Sequence, residues 1–348
     1  MSDSTQRASF VTIGIVALNR AWIIDQVFSS ILSQTYHHDC LFVLFVDGES
    51  RDGTAEIAKK RLLQSDFKGY EVIVQKCSIP EGRNICLERM RGDLLLFWDS
   101  DVIMPPDAVS KLVEALETER ADLITATVKN VTVSSTSEIP ERLYDAKSFE
   151  QAEPCTKIKA ASMGQTILSK TILTSLSFDP DFTVAEDCDF GMRASARGYK
   201  LMSCPSVVVL DVNMNRMAYS DIHIDMPVKW ALRGIRKKAK AQIYFYNFAS
   251  GWKSSINFFL EKRRYLFYWG HLLTILLSIY GILVQNLYLF LLFPVYALLY
   301  AGVQIERRGL AKGLKAFIRS VVVGIPDAFW VAYYFLKYIS KRSTKSEY

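Results

Sequence analysis

The chain has 348 residues, half of them hydrophobic, which exceeds one ordinary domain of roughly 100–200 residues and excludes both a disordered chain and a small disulfide-stapled one. Its six cysteines (Cys40, Cys77, Cys86, Cys155, Cys188, Cys204) form no C-x-x-C pair and only four histidines are present, which argues against a structural zinc and against an extracellular disulfide framework. The net charge of +6 is divided unevenly: residues 1–228 carry 23 basic and 32 acidic side chains, whereas residues 229–348 carry 19 and 4.

Short β-rich runs are expected at Phe10 to Val16, Leu41 to Val46, Glu71 to Gln75, Leu94 to Trp98 and Asp122 to Thr127, with helical spacing between them. The first of these lacks a basic leader and a small-residue cleavage site, so it reads as a strand and not as a signal peptide. Asp52 can cap a helix beginning at Gly53-Thr54, and Pro105-Pro106 opens another. This alternation predicts an α/β domain over residues 1–228, a mostly parallel sheet whose ligands sit beyond the carboxyl ends of its strands.

The rear half reads as membrane-bound, not as a nucleic-acid tail. Lys229 to Tyr246 combines five further cations with Trp230, Ile235, Ile243 and Phe245, the pattern of an amphipathic interfacial helix within a basic segment 229–264. Tyr265 to Ile305 contains no Asp, Glu, Lys or Arg and divides at Gln285-Asn286 into two stretches of spanning length, a transmembrane helical hairpin. Lys262-Arg263-Arg264 before it and Arg307-Arg308 after it are expected to put both ends, and with them the front domain, on the cytoplasmic side. Within 306–348, Phe317 to Ile339 is apolar but interrupted by Arg319, Pro326-Asp327 and Lys337, and a crossing would export Lys341, Arg342 and Lys345. An interfacial or re-entrant helix is therefore expected over a third crossing.

Two acidic sites stand at predicted strand ends. Asp47 directly follows Leu41 to Val46 and can accept hydrogen bonds from a nucleobase or ribose, or simply form a turn. Asp99-Ser100-Asp101 follows the apolar Leu94 to Trp98; if the chain stays extended, both carboxylates share one face and can bind a hard divalent cation while Ser100 points away. Two other D-x-D triplets exist, at Asp179/Asp181 and Asp187/Asp189, but only the first ends a fully apolar strand. Glu186-Asp187-Cys188-Asp189 looks like an acidic helix start.

Taken together, V-T-I-G-I-V-A-L-N-R (11–20), V-D-G-E-S-R-D-G-T (46–54), G-R-N (82–84), G-D-L-L-L-F-W-D-S-D (92–101) and A-E-D-C-D-F-G-M-R…G-Y-K (185–200) resemble the family 2 glycosyltransferases of GT-A fold over about residues 9–212. The resemblance implies an inverting transferase using a UDP- or GDP-sugar with Mg²⁺ or Mn²⁺. It assigns the nucleoside to Asp47 and to Ala17 and Asn19, puts Arg83 near the diphosphate, and counts Asp99 and Ser100 with the donor-binding residues. Asp99 and Asp101 would hold the metal, and Asp187 would be the catalytic base. A membrane hairpin after such a domain is similar to polyprenyl-phosphate glycosyltransferases of the dolichol-phosphate mannose synthase kind. On that reading the acceptor is a polyprenyl phosphate, held by Arg142, Lys157 or Lys159; a hydroxyl of a lipid-linked saccharide is the alternative.

The departures are informative. Val16-Ala17-Leu18-Asn19 lacks an aromatic that could stack on the base, and Gly48 replaces a frequent second Asp. The third metal ligand is expected at Asp211, with His223 as rival. Met226-Pro227-Val228-Lys229-Trp230 retains only the Trp of the Q-x-x-R-W signature, which argues against processive synthesis. A nucleotidyltransferase would want a glycine cluster after the first strand, which is missing; an inactive nucleotide-sugar-binding scaffold would not need the complete acidic set.

Overall fold

The structure is a computed structural model that describes residues 8–138, 153–180, 182, 186–214, 232, 235, 236, 239 and 264–342. It divides into two compact units, Met1–Arg216 and Met217–Tyr348.

The first unit is built on a nine-stranded sheet of order β3-β2-β1-β4-β8-β6-β9-β5, with β7 pairing β9. Strands β1 (Val11–Ala17), β2 (Leu41–Asp47), β3 (Gly69–Val74) and β4 (Leu94–Trp98) are mutually parallel. Beyond β4 the sheet is mixed: β8 (Gln165–Ser169) is antiparallel to both β4 and β6 (Leu123–Val133), and β6 runs parallel to β9 (Leu201–Met214). Two-residue strands β5 (Val102–Ile103) and β7 (Thr156–Lys157) lie antiparallel to β9.

Alternation along the strands makes two cores. Leu41, Val43 and Phe45 of β2 join Leu94, Leu96 and Trp98 of β4 on one face, with α1 (Ile24–Leu32), α2 (Thr54–Leu63) and α4 (Ala108–Thr118). Phe42, Leu44, Val46, Leu95 and Phe97 point to the other, where Cys86 of α3 (Ile79–Arg89) and Phe190 of α6 (Glu186–Ala196) meet them. Each such side chain contributes about 1.5–3 kcal/mol on burial, so a run with both parities apolar can only be an interior strand. The N-cap of α2 is Gly53, at φ 89, and not Asp52, which lies one residue earlier and accepts the Thr54 N–H at 3.2 Å in a turn leading into the helix. A single turn, α5 (Lys170–Leu173), follows β8.

Three features differ from expectation. Strand β6 runs on to Val133 through Lys129 and Asn130, because the long ladder with β9 supplies the partners that side-chain pattern does not announce. Cys155 and Cys204, 49 residues apart, are joined in a disulfide linking the segment before β7 to β9. The D-x-D segment is not extended: Val102 donates its N–H to the Asp99 carbonyl at 3.0 Å, closing a turn that leads β4 into β5. Ser100 is buried in that turn.

The second unit is helical. Helices α7 (Arg264–Leu283), α8 (Leu287–Phe290) and α9 (Leu292–Arg308) are followed by α10 (Leu310–Arg319), a π-helical turn over Ser320–Gly324, and α11 (Ile325–Arg342). The break falls at Gln285-Asn286 as the polar pair predicts, and the Asn286 side chain accepts from the Leu289 N–H at 3.1 Å. Ser278 ties the two sides of that break, donating to the Phe290 carbonyl at 2.8 Å and accepting from the Phe293 N–H. Three helices, Leu266–Leu283, Leu287–Arg308 and Leu310–Leu336, are long and apolar enough to cross a membrane. The third includes the segment expected to lie in the interface; the wide π turn ahead of Pro326 lets the helix continue where a proline would otherwise break it. Of the basic stretch 229–264, Arg236 places its guanidinium over Trp330, 5.3 Å from the ring centre, and donates to Tyr334.

Candidate active site

The chemistry-bearing side chains gather at the carboxyl ends of β1, β2 and β4, where the strand order reverses between β1 and β4. Such a switch point opens a crevice in a doubly wound sheet.

Two turns line one side. Gly48 donates its N–H to the Ala17 carbonyl at 2.8 Å, Asn19 its N–H to Ser50 Oγ at 2.7 Å, and the Arg51 N–H reaches Asn19 Oδ1 at 3.0 Å. Asn19 sits at φ 53, a left-handed conformation that Asn tolerates better than most residues. Asp47 is fully buried; its Oδ1 accepts the Ser50 N–H at 2.6 Å, while Oδ2 is buried with no hydrogen-bond partner. An idle buried carboxylate oxygen is costly, and it fits an acceptor awaiting the N–H or O–H of a nucleoside.

The D-x-D turn lies across from it. Asp99 donates its backbone N–H to the Gly164 carbonyl at 2.8 Å, and a Cβ at Gly164 would lie 2.2 Å from Asp99 Oδ2. Only glycine leaves that carboxylate its room. Arg83 forks between Asp99 Oδ1 at 3.1 Å and Glu186 Oε1 at 2.7 Å, and stacks near Phe97 and Phe178. Burial alone would lower the Arg83 pKa, but Asp99, Glu186 and Asp187 outweigh it and raise it. Burial pushes the Glu186 carboxyl up, Arg83 pulls it back, and Asp187 adds to the rise. Arg83 is brought this close because α3 starts with a capping box, Ser78 with Glu81, and because Gly82 lets the helix press on β1, where a Cβ would meet Val16 Cγ1 at 2.6 Å.

Asp101 takes a different partner. Arg20 Nη2 lies 3.1 Å from its Oδ2. Burial pushes the Asp101 carboxyl up to about 6; Arg20 opposes this, and the Asp99 and Asp211 charges reinforce it. Asp211 stands opposite Val102 in the β5/β9 pairing, and the next residue, Val212, donates its N–H to the Asp101 carbonyl at 2.9 Å. The Asp211 carboxylate itself accepts from Asn213 at 2.7 Å, and among the described residues no three His, Cys, Asp or Glu side chains are grouped closely enough to hold one ion. Neighbouring carboxylates on a glycine-cleared turn nevertheless suit a hard cation, because the ion would offset the burial and the neighbouring charge that raise Asp101.

Asp187 begins α6, next to Glu186, with Oδ1 accepting the Cys188 N–H at 2.7 Å. Lys157 is exposed on β7 and Lys159 follows it; that segment runs into Ala160 and Ala161, against which Gly191 of α6 packs. Arg142 and His223 lie outside the described residues. Sequence reasoning missed Arg20, Gly164 and the part of Glu186, whose partners are 103 residues or less away in the chain but adjacent in no motif.

Residues 12–176 match the glycosyl transferase family 2 model, so the chain carries a glycosyltransferase domain of that family, followed by apolar helices of membrane-spanning length. The glycosyltransferase AglE of Haloferax volcanii is 24% identical over 207 residues, covering 59% of this chain and 67% of that protein. Similar at 20% over 211 residues is a dolichyl N-acetyl-alpha-D-glucosaminyl phosphate 3-beta-D-2,3-diacetamido-2,3-dideoxy-beta-D-glucuronosyltransferase of Methanococcus voltae, with 58% of this chain and 66% of that one aligned. The alignments thus span about two thirds of both relatives. Among solved structures, the mannosyltransferase PcManGT of Pyrobaculum calidifontis, in complex with GDP-Man and Mn²⁺, superposes with a TM-score of 0.51 at 16% identity over 98% of this chain and 89% of its own, a GT-A-like fold in common.

Proposed function

We propose that the protein is a membrane-bound inverting glycosyltransferase that takes a sugar from a nucleotide-sugar and delivers it to a lipid-linked acceptor. The observation that carries this reading is the convergence of Asp47, Asp99, Asp101, Arg83 and the Glu186-Asp187 pair on one set of strand ends. The idle Oδ2 of Asp47 supports a nucleoside at the β2 end, with the Ala17 and Asn19 turn beside it. Asp99 and Asp101 would hold Mg²⁺ or Mn²⁺, which when bound neutralises a leaving diphosphate. The solved mannosyltransferase of like fold contains Mn²⁺ and GDP-Man, which is compatible with that pairing.

Arg83 cannot swing freely, because its fork is fixed by Asp99 and Glu186 and its plane by two phenyl rings. Its work is to hold those carboxylates in place while presenting fixed positive charge beside the donor site. Asp187 has the position of a base at a helix start, able to take the proton of an attacking hydroxyl. The Methanococcus voltae relative is named for a 3-linked transfer to a dolichyl-phosphate-linked sugar, which favours a lipid-linked saccharide hydroxyl as the acceptor. The exposed Lys157 and Lys159 support the second reading, a bare polyprenyl phosphate. In both cases the basic flanks of the apolar helices support a cytoplasmic catalytic unit.

Asp187→Asn in detergent, assayed with UDP- and GDP-sugars against both acceptor types, tests this. A hydroxyl acceptor predicts a loss of roughly 10²–10⁴-fold and a pH profile set by one base. A small, pH-independent loss with polyprenyl phosphate would favour the lipid phosphate. No transfer by wild type to any lipid-linked acceptor defeats the proposal.

A further inference from the structure

Arg20 joins the two halves of the site. Its backbone N–H is held by Oγ1 of Thr54, the first residue of α2, at 2.8 Å, while its guanidinium crosses to Asp101 Oδ2. The contact is one-pronged. Nη2 touches the carboxylate, but Nε is buried without a hydrogen-bond partner. Arg83 differs: it is almost completely buried, grips two carboxylates and stacks on rings, whereas the Arg20 side chain is 37% exposed. A planar fork satisfies a carboxylate best through two parallel bonds; Arg20 uses one, on a half-open side chain.

We propose that Arg20 is an exchangeable counter-ion: it neutralises Asp101 when no metal is bound and must leave that carboxylate for a divalent cation to bind between Asp99 and Asp101. The inference rests on the reading of those two residues as metal ligands. Arg20 occupies the Asp101 oxygen that a hard cation would claim, and two cations cannot share it without strong repulsion. The idle Nε–H and the exposed stem make the guanidinium the partner that can move, whereas the backbone anchor at Thr54 keeps it close. The arginine therefore weakens binding of the free ion.

The test is Mn²⁺ binding to the full-length protein in detergent, followed by loss of the free-ion electron paramagnetic resonance signal, without donor or turnover. Arg20→Gln should bind Mn²⁺ at least about threefold more tightly than wild type, the scale of a partly exposed ion pair. Arg51→Gln removes a cation from the same pair of turns that makes no contact with Asp101, and should match wild type. Arg20→Met is the second variant, and thermal unfolding reports whether each is folded. Unchanged or weaker binding in both Arg20 variants, with Asp101→Asn still lowering affinity, overturns the counter-ion and leaves the metal reading intact. Equal tightening in Arg51→Gln also overturns it, as a mere effect of net charge. If wild type binds no Mn²⁺, or Asp99→Asn and Asp101→Asn bind it as wild type does, the metal reading falls and the counter-ion with it.

Discussion

Asp101 shows how one residue couples the site to pH. Its ordinary value of 3.8 is raised to about 6 in the folded protein, mainly by burial. A raised carboxyl contributes stability that is full below about pH 4 and is lost as pH rises through about 6. Above that, the buried charge costs on the order of 3 kcal/mol until a cation offsets it. Asp101→Asn cannot ionise. With EDTA present it should melt above wild type at pH 7.5, by a margin that narrows through pH 5 and closes only below about pH 4, while losing transfer. A lower midpoint than wild type at pH 7.5 would count against the assignment. Of the residues at this scale, Asp47, Asp99 and Asp101 stood out in the sequence as acids after apolar runs, and Arg83 entered only through the family resemblance carried by Gly82-Arg83-Asn84. Glu186 and Arg20 did not stand out, since what distinguishes them is the partner each reaches across the crevice.

The placement of Arg83 is decided at the level of elements, by the contact between α3 and β1. Gly82 makes that contact possible, and a methyl there would meet Val16 Cγ1 at 2.6 Å. Gly82→Ala should therefore destabilise by about 1–3 kcal/mol, the range for overpacking, and reduce transfer by moving Arg83 off Asp99. Val16→Ala in the same chain removes the opposing methyls, and the double variant should recover part of both losses by thermal unfolding and assay. Additive losses would show that Gly82 matters for another reason. The strands of the first half were readable because interior parallel strands bury both parities and so appear as unbroken apolar runs. Strands β5 and β7 have two residues each, and β9 is interrupted by Ser203, Pro205, Ser206, Asp211 and Asn213; pairing, not pattern, makes them strands.

For the whole molecule, the decisive question is the topology of the three helices long and apolar enough to cross a membrane. A 41-residue stretch without a charged side chain, broken at Gln285-Asn286, predicts that this pair emerges opposite the basic flanks. With accessible native cysteines removed, a cysteine at Asn286 should react in intact cells with an impermeant thiol reagent, and one at Arg307 should react only after lysis. The reverse pattern would invert the topology.

By itself the sequence determined the α/β alternation, the acids at the strand ends, the family resemblance and the apolar helices. The alternation and the apolar helices are written in neighbouring residues through a period of two or 3.6 or through unbroken hydrophobicity, and the resemblance in the order of its motifs. Only the tertiary structure decided that Asp99 and Asp101 lie in a turn, that Arg83 bridges Asp99 to Glu186, that Arg20 holds Asp101, and that Cys155 meets Cys204. Those pairings join residues 16 to 103 positions apart, and nothing in local periodicity encodes them. Strand order and the close packing of helix on sheet bring them within ångströms, and there burial converts ordinary charges into a site.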